Sequence, residues 1–332
     1  MSRRIVCLPG DGIGPEVIAE AVRVLEALPL ELEISEHPFG GAAIDRTGDP
    51  LPPETLAACR AADAILLGAV GGPKWDGGSV RPEAGLMGIR KELDVYANLR
   101  PAVGEGVDLL IVRELGGGLY YGARGTREDG TVYDTLEYKP EQVERIARRA
   151  FELARGRSGR LLSVDKANVL DTSRMWRSVV TELAHEYPDV ELRHGLVDSV
   201  AMMIVMDPFS FDTLVMENTF GDILSDVAAG VTGGLGLASS ASLADAGPGI
   251  FEPVHGSAPD IAGTGVANPT AMLRSTALML EHALGESGLA RAVETAVASA
   301  LETTPTTDVG GSATTSEFGS AVLAALGSAV QA

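Results

Sequence analysis

Short, fully apolar runs alternate with amphipathic ones between residues 5 and 67, and that alternation admits few folds. Ile5–Leu8 and Ala64–Leu67 read as buried strands, and Leu30–Ser35 alternates as a strand does. Between them, Pro15–Ala27 places Val17, Ile18, Ala21, Val22 and Leu25 on one helical face, with proline in the first turn. Thr55–Ala62 reads as a second helix. This strand–helix–strand succession predicts an α/β layer fold. Further along, Leu109–Arg113, Thr131–Tyr138, Leu161–Val164 and Thr213–Met216 read as strands. Pro140–Ala154, Arg174–Glu186, Thr270–Ala283, Leu289–Leu301 and Glu317–Ala329 read as helices. Two glycine-rich stretches, Gly68–Gly78 and Gly233–Gly265, read as hinges or ligand loops. At 332 residues the chain has room for about two domains, and no repeat or disordered linker divides it.

The charge balance narrows the function. Asp and Glu number 46 against 26 Lys and Arg, a net charge of −20. No nucleic-acid or anionic-membrane binder is expected from that field. Only Lys74, Lys91, Lys139 and Lys166 are lysines; the other 22 basic residues are arginine. An acidic protein that handles an anion must gather arginine locally. Cys7 and Cys59 form no CxxC, so neither a disulfide framework nor a structural zinc site is expected. The apolar run after Arg3-Arg4 stops at Pro9, too early for a signal peptide, and no stretch approaches the ~18 apolar residues of a membrane span. These features suit a cytoplasmic protein.

Several motifs carry chemistry. Gly10-Asp-Gly-Ile-Gly14-Pro15 follows a strand and opens a helix, but its spacing is not G-x-G-x-x-G, so it reads first as a tight turn. Asp222 and Asp226, four apart in Phe220-Gly-Asp-Ile-Leu-Ser-Asp226, fall on one helix face. That suits either a hard divalent cation or a capped helix start. Arg90, Arg100 and Arg113 lie in separate segments and suit either carboxylate binding or surface ion pairs. Lys166 follows a strand directly, and Tyr120 lies in a glycine loop; both are acid/base candidates. The backbone N–H groups of His255–Ala258 could cradle a phosphate, with Asp260 on ribose hydroxyls. No P-loop, G-x-S-x-G or H-E-x-x-H is present.

Taken together, LPGDGIGPEV, FGGAAID, LLGAVGGPKWD, ANLRPA, LIVREL, SVDKANVL, FGDILSD, EPVHGSAPDIAG and GVANPT occur in order along nearly the whole chain. In these segments the chain resembles the isocitrate/isopropylmalate family of β-decarboxylating dehydrogenases. The resemblance implies a two-domain α/β fold with a large mixed sheet, not a standard Rossmann fold. Residues 1–95 and 233–332 would form the cofactor domain and 96–232 the dimerisation domain, with the active site in a cleft between them. It implies a homodimer with shared active sites. Tyr120 and Lys166 match the family's acid/base pair, and Asp198, Asp222 and Asp226 its Mg²⁺ or Mn²⁺ ligands. Lys166, Asn168, Val169 and Asp198 would come from the partner subunit. Arg90, Arg100 and Arg113 match the substrate-carboxylate arginines. The NAD site would comprise Glu252, His255, Gly256, Ser257, Ala258, Asp260, Ile261, Asn268, Asp308 and Asn168. Gly10–Pro15 and Gly71–Gly72 match cleft-lining turns.

Substrate and cofactor preference follow from the same resemblance. Glu83-Ala-Gly-Leu86-Met87-Gly-Ile-Arg90 has Ala84 and Leu86 where isocitrate enzymes carry Ser and Asn. Glu83, Leu86, Met87 and Val169 then line the substrate, with an apolar wall for an isopropyl group. The implied reaction is NAD-dependent oxidative decarboxylation of 3-isopropylmalate, a step of leucine biosynthesis. Relatives acting on malate, tartrate or homoisocitrate remain rivals. Asp260 would accept both ribose hydroxyls of NAD and repel a 2′-phosphate. The Pro101–Asp108 connection is shorter than in many relatives.

Overall fold

The computed structural model describes residues 2–104 and 106–330, with 328–330 described by backbone only. The chain forms two compact units, 1–94 with 235–332, and 95–234. Unit 1 begins with β1 (Arg3–Gly10), α1 (Gly14–Ala27), β2 (Leu32–Glu36), α2 (Gly40–Thr47), α3 (Pro53–Ala61), β3 (Ala64–Ala69) and α4 (Pro82–Glu92). Unit 2 opens with β4 (Ala97–Gly104), β5 (Val107–Glu114), β6 (Arg124–Thr126), β7 (Val132–Asp134), α5 (Pro140–Gly156) and β8 (Arg160–Asp165). It closes with α6 (Asp171–Leu183), β9 (Glu191–Leu196), α7 (Val197–Met206), β10 (Thr213–Met216) and α8 (Asn218–Val231). The last segment returns to unit 1 with β11 (Ser239–Leu243), β12 (Gly249–Pro253), α9 (Thr270–His282), α10 (Ser287–Thr303) and α11 (Thr315–Val330).

Ten strands make up the large mixed α/β sheet that the resemblance implies, five in each unit. In unit 1 their order is β2-β1-β3-β12-β11, parallel except for the β11–β12 pair. Ile5, Leu8, Ile65 and Leu66 are fully buried, as strands covered by helices on both faces require. α1 carries Pro15, which needs no N–H partner, in its first turn, and turns Val17, Ile18, Ala21, Val24 and Leu25 inward.

In unit 2 the order is β4-β5-β10-β8-β9, with only β4–β5 antiparallel. α5 buries Val143, Ile146, Ala147, Ala150, Phe151 and Ala154 at helical spacing. Phe151 also stacks on Tyr187 at 4.7 Å between ring centroids. Burial of such a ring stabilises the unit by about 1.5–3 kcal/mol.

Two sequence expectations are corrected. Gly233–Gly265 is not one long loop, because it contains β11 and β12, both fully buried. The serines of β11 disguise it: Ser240 Oγ donates to the Glu252 carbonyl at 3.0 Å, which satisfies a hydroxyl inside the sheet. Thr131–Tyr138 is a strand only at Val132–Asp134, paired with β6 in a small exposed ribbon. The β4–β5 turn is short, though Glu105 within it lies outside the described residues. Cys7 and Cys59 are free and buried, and burial pushes both thiols up to about 12, which leaves them unreactive. Among the described residues no helix is long and apolar enough to cross a membrane.

Candidate active site

Chemistry-bearing residues in unit 2 follow the carboxyl ends of its parallel strands. Arg113 lies near the end of β5, Lys166 directly after β8, Asp198 just after β9, and Asn218 and Asp222 beyond β10. Ligands favour this edge of an open α/β sheet, where loops and helix N-termini converge.

The tightest group centres on Asp222. Arg113, 3% exposed, donates through Nη1 to Asp222 Oδ1. Arg100 Nη2 lies 3.4 Å from the same oxygen, and Arg100 Nη1 lies 3.4 Å from Asp226 Oδ1. Ser225 Oγ accepts from Arg100 at 2.7 Å, and Asn98 Oδ1 holds its Nε at 2.8 Å. Tyr120 donates to Asp222 Oδ2 at 3.0 Å. Burial and the neighbouring Asp222 raise the Tyr120 phenol above its ordinary value, so it stays protonated. Burial also raises the Asp226 carboxyl, and the nearby arginines oppose that rise. Gly221 makes room for this packing, since a Cβ there would lie 2.5 Å from Arg113 Cγ and 2.7 Å from its Cβ.

Lys166 Nζ pairs with Asp198 Oδ1 at 2.7 Å, and that ammonium holds the Asp198 carboxyl below its usual range. The turn bearing Lys166 is fixed by buried Asp165, which accepts from Arg177 at 2.8 and 2.9 Å and from the Ala167 N–H at 2.9 Å. Asn168 and Val169 are exposed on the same turn.

Unit 1 assembles a second group beyond β1, β3 and β12. Asp11 accepts from the N–H groups of Gly41 at 2.9 Å, Ala42 at 2.8 Å and Gly71 at 2.8 Å. It thereby caps α2 and fixes the turn after β3. Ile13 N–H donates to the Ser257 carbonyl at 2.9 Å, and Gly12, at φ +57°, presses on that carbonyl so closely that a Cβ would lie 1.9 Å away. Gly10–Pro15 is therefore the tight turn its spacing suggests, and it anchors the loop after β12. Arg90 Nη2 pairs with buried Glu252 Oε1 at 2.7 Å. Glu83 and Met87 are exposed on α4, and Leu86 is half-buried.

The loop after β12 is suited to an anion. The N–H groups of His255, Gly256, Ser257 and Ala258 donate no hydrogen bond within the described protein. His255 Nε2 is buried without a partner, and burial lowers the imidazole so that it is neutral. Asp260 and Ile261 are exposed. Asn268 Nδ2 donates to Asp308 Oδ2 at 3.0 Å, and Thr306 Oγ1 to Asp308 Oδ1 at 2.6 Å.

Comparison with known proteins places this geometry. The family model described as isocitrate/isopropylmalate dehydrogenase matches residues 4–322. The chain belongs to the isocitrate/isopropylmalate dehydrogenase family. It is 54% identical to the 3-isopropylmalate dehydrogenase of Oleidesulfovibrio alaskensis, over 90% of each chain. It is 53% identical to the chloroplastic 3-isopropylmalate dehydrogenase 2 of Arabidopsis thaliana, over 88% of this chain and 79% of that one. Among solved structures, the isocitrate dehydrogenase of Methylococcus capsulatus superposes with a TM-score of 0.91 at 39% identity, covering 98% of this chain and 99% of that one. A β-decarboxylating dehydrogenase from Thermococcus kodakarensis gives 0.86 at 37% identity, covering 99% and 97%.

The residues fit the groups this dehydrogenase family implies. Asp222 and Asp226 offer hard carboxylate oxygens one helical turn apart, as Mg²⁺ or Mn²⁺ requires. No cluster of three metal-binding side chains occurs among the described residues, so a cation held by this pair would need further oxygens. The unpartnered N–H groups fit a dinucleotide phosphate. Sequence reasoning overlooked Glu114, Tyr138, Glu217 and Asn218, which stand behind Arg113 and Tyr120. Glu114 accepts from Tyr138 at 2.8 Å and from the Gly117 N–H at 3.0 Å, while Glu217 caps α8. The only sign in sequence was that Glu114 lies within LIVREL and that Glu217 and Asn218 shortly precede FGDILSD; Tyr138 carried none.

Proposed function

We propose that this chain catalyses the NAD-dependent oxidative decarboxylation of (2R,3S)-3-isopropylmalate to 4-methyl-2-oxopentanoate and CO₂, in leucine biosynthesis in the cytoplasm. The observation that carries this reading is 54% identity, over nine-tenths of both chains, to a curated 3-isopropylmalate dehydrogenase. The side chains of α4 support it. Leu86 and Met87 offer an apolar wall to an isopropyl group, worth about 1.5–3 kcal/mol on burial. A third carboxylate against that wall, as in isocitrate, would cost several kcal/mol.

Arg90, Arg100 and Arg113 take the substrate carboxylates, using paired donors and a charge that does not titrate. Asp222 and Asp226, with Asp198 of the partner subunit, hold Mg²⁺ or Mn²⁺. Glu252, His255–Ala258, Asp260, Ile261, Asn268 and Asp308, with Asn168 of the partner subunit, hold NAD. When bound, NAD supplies the hydride acceptor and the divalent cation a Lewis acid. Lys166 of the partner subunit takes the hydroxyl proton through water and Asp198. After CO₂ leaves, Tyr120 delivers its phenolic proton to the enol carbon. The raised Tyr120 phenol suits a proton donor.

A homodimer with shared sites accords with the surface of unit 2. α7 exposes Met202, Val205 and Met206, and Ile223 is exposed on neighbouring α8. Four large apolar side chains on adjacent helices suit a self-complementary interface.

The deciding experiment measures NADH formation with Mg²⁺ on 3-isopropylmalate, isocitrate, homoisocitrate and malate. A tenfold or greater preference for 3-isopropylmalate is expected. Preference for another acid overturns the substrate assignment, and a higher kcat/KM with NADP overturns the cofactor assignment.

A further inference from the structure

The buried guanidinium of Arg113 is held from behind by a neutral amide. Asn218 Oδ1 accepts from Arg113 Nε at 3.0 Å and from Nη2 at 2.8 Å. Asn218 is itself 1% exposed and fixed at both ends. Its Nδ2 donates to the Gly117 carbonyl at 3.0 Å, and its backbone N–H to Tyr138 Oη at 3.0 Å. Tyr138 in turn donates to Glu114 Oε2 at 2.8 Å. Gly117 belongs to the glycine turn that carries Tyr120, so one amide ties that turn, the start of α8 and Arg113 together.

We infer that Asn218 is a positioning residue: it orients Arg113 toward the substrate carboxylate through an acceptor that adds no further negative charge. Two N–H bonds converging on one oxygen hold that edge of the guanidinium, and Nη1 is then presented on the side of Asp222. An aspartate in this place would keep the acceptor but add a carboxylate to Asp222 and Glu217, which already act on Arg113, and so weaken its pull on the substrate. Gly221, one helical turn along, supplies the space in which the Arg113 stem lies. The inference rests on the proposed role of Arg113 toward an isopropylmalate carboxylate.

The test compares Asn218→Ala, Asn218→Asp and Tyr138→Phe in the intact enzyme. Steady-state kinetics with 3-isopropylmalate and NAD are paired with the Arg Nε–H resonances of ¹⁵N-labelled protein, the Arg113 resonance being assigned from Arg113→Lys. Asn218→Ala is expected to raise the isopropylmalate KM at least tenfold with the NAD KM within twofold, and to lose the slowly exchanging Arg113 Nε–H. Asn218→Asp is expected to keep that resonance and still raise the isopropylmalate KM at least tenfold. Tyr138→Phe keeps the ring on Trp176 and removes only the hydroxyl; it is expected to raise the same KM about threefold. It stands as the measurement if the Asn218 variants fail to fold. Unchanged KM in these variants, or a loss confined to the fraction of active enzyme, overturns the inference. If the wild-type enzyme forms no NADH from isopropylmalate, the functional reading fails, and the resonance alone decides the Asn218 claim: its absence from wild type, or its survival in Asn218→Ala, overturns it.

Discussion

Tyr120 donates its phenolic hydroxyl to Asp222 Oδ2 at 3.0 Å, while the opposite oxygen of that carboxylate takes Arg113. One carboxylate thus orients both a proton donor and a cation. Tyr120→Phe removes the donor without disturbing the ring. Oxidation of substrate should fall less than tenfold and decarboxylation of the 2-keto intermediate more than a hundredfold, measured as separate partial reactions. Equal losses in both would count against the protonation role. Because the phenol is raised, no alkaline loss of decarboxylation from its ionisation is expected below its ordinary value of 10.

Stability should depend on pH through Glu114. Burial, the largest influence, raises this carboxyl from 4.5 to about 7, against the hydrogen bonds it accepts. A carboxyl raised on folding contributes stability fully below its unfolded value and loses it as pH rises through the folded value. Glu114→Gln should therefore flatten the fall in Tm between pH 4.5 and 7, a difference on the order of 3 kcal/mol. A wild-type slope unchanged in the variant would contradict this assignment.

Asp260 and Ile261 should set nucleotide preference. Replacing them with Lys and Tyr is expected to shift the NAD/NADP ratio of kcat/KM toward NADP by at least a hundredfold, with the isopropylmalate KM unchanged. Persistent NAD preference would place the discrimination elsewhere.

The exposed face of α7 should hold the dimer. Met206, 71% exposed, is costly to leave in water and costly to replace by charge in an interface. Met206→Glu together with Val205→Arg should yield monomers by light scattering and reduce activity at least a hundredfold. A fully active monomer would refute shared active sites.

Gly221→Ala should perturb Arg113 directly. The added methyl meets the rigid start of that side chain and displaces it, at a cost of about 1–3 kcal/mol in stability. Thermal unfolding should show the loss, accompanied by a raised isopropylmalate KM.

Strands and helices with one buried face were readable from sequence. β3 is apolar throughout, and α5 repeats its buried face at a helical period. α7 escaped notice because Met202, Val205 and Met206 make its outer face as apolar as its inner one, which erases the periodicity. β11 escaped because its serines read as loop residues, and the contact that satisfies Ser240, the Glu252 carbonyl, lies on another strand. Within the site, Arg113, Asp222 and Tyr120 were readable from motifs, and the structure brings them together. Their supports were not, because Asn218 and Tyr138 are 80 positions apart and meet only in the folded chain.

The Ser257 carbonyl is gripped by the Ile13 amide and by a glycine with no side chain to vary. The course of the loop after β12 is thus written in backbone, while the nucleotide selectivity proposed above would rest on the exposed Asp260 and Ile261. The two properties are modular: preference between nucleotides can drift by single codon changes while the scaffold that presents them stays fixed.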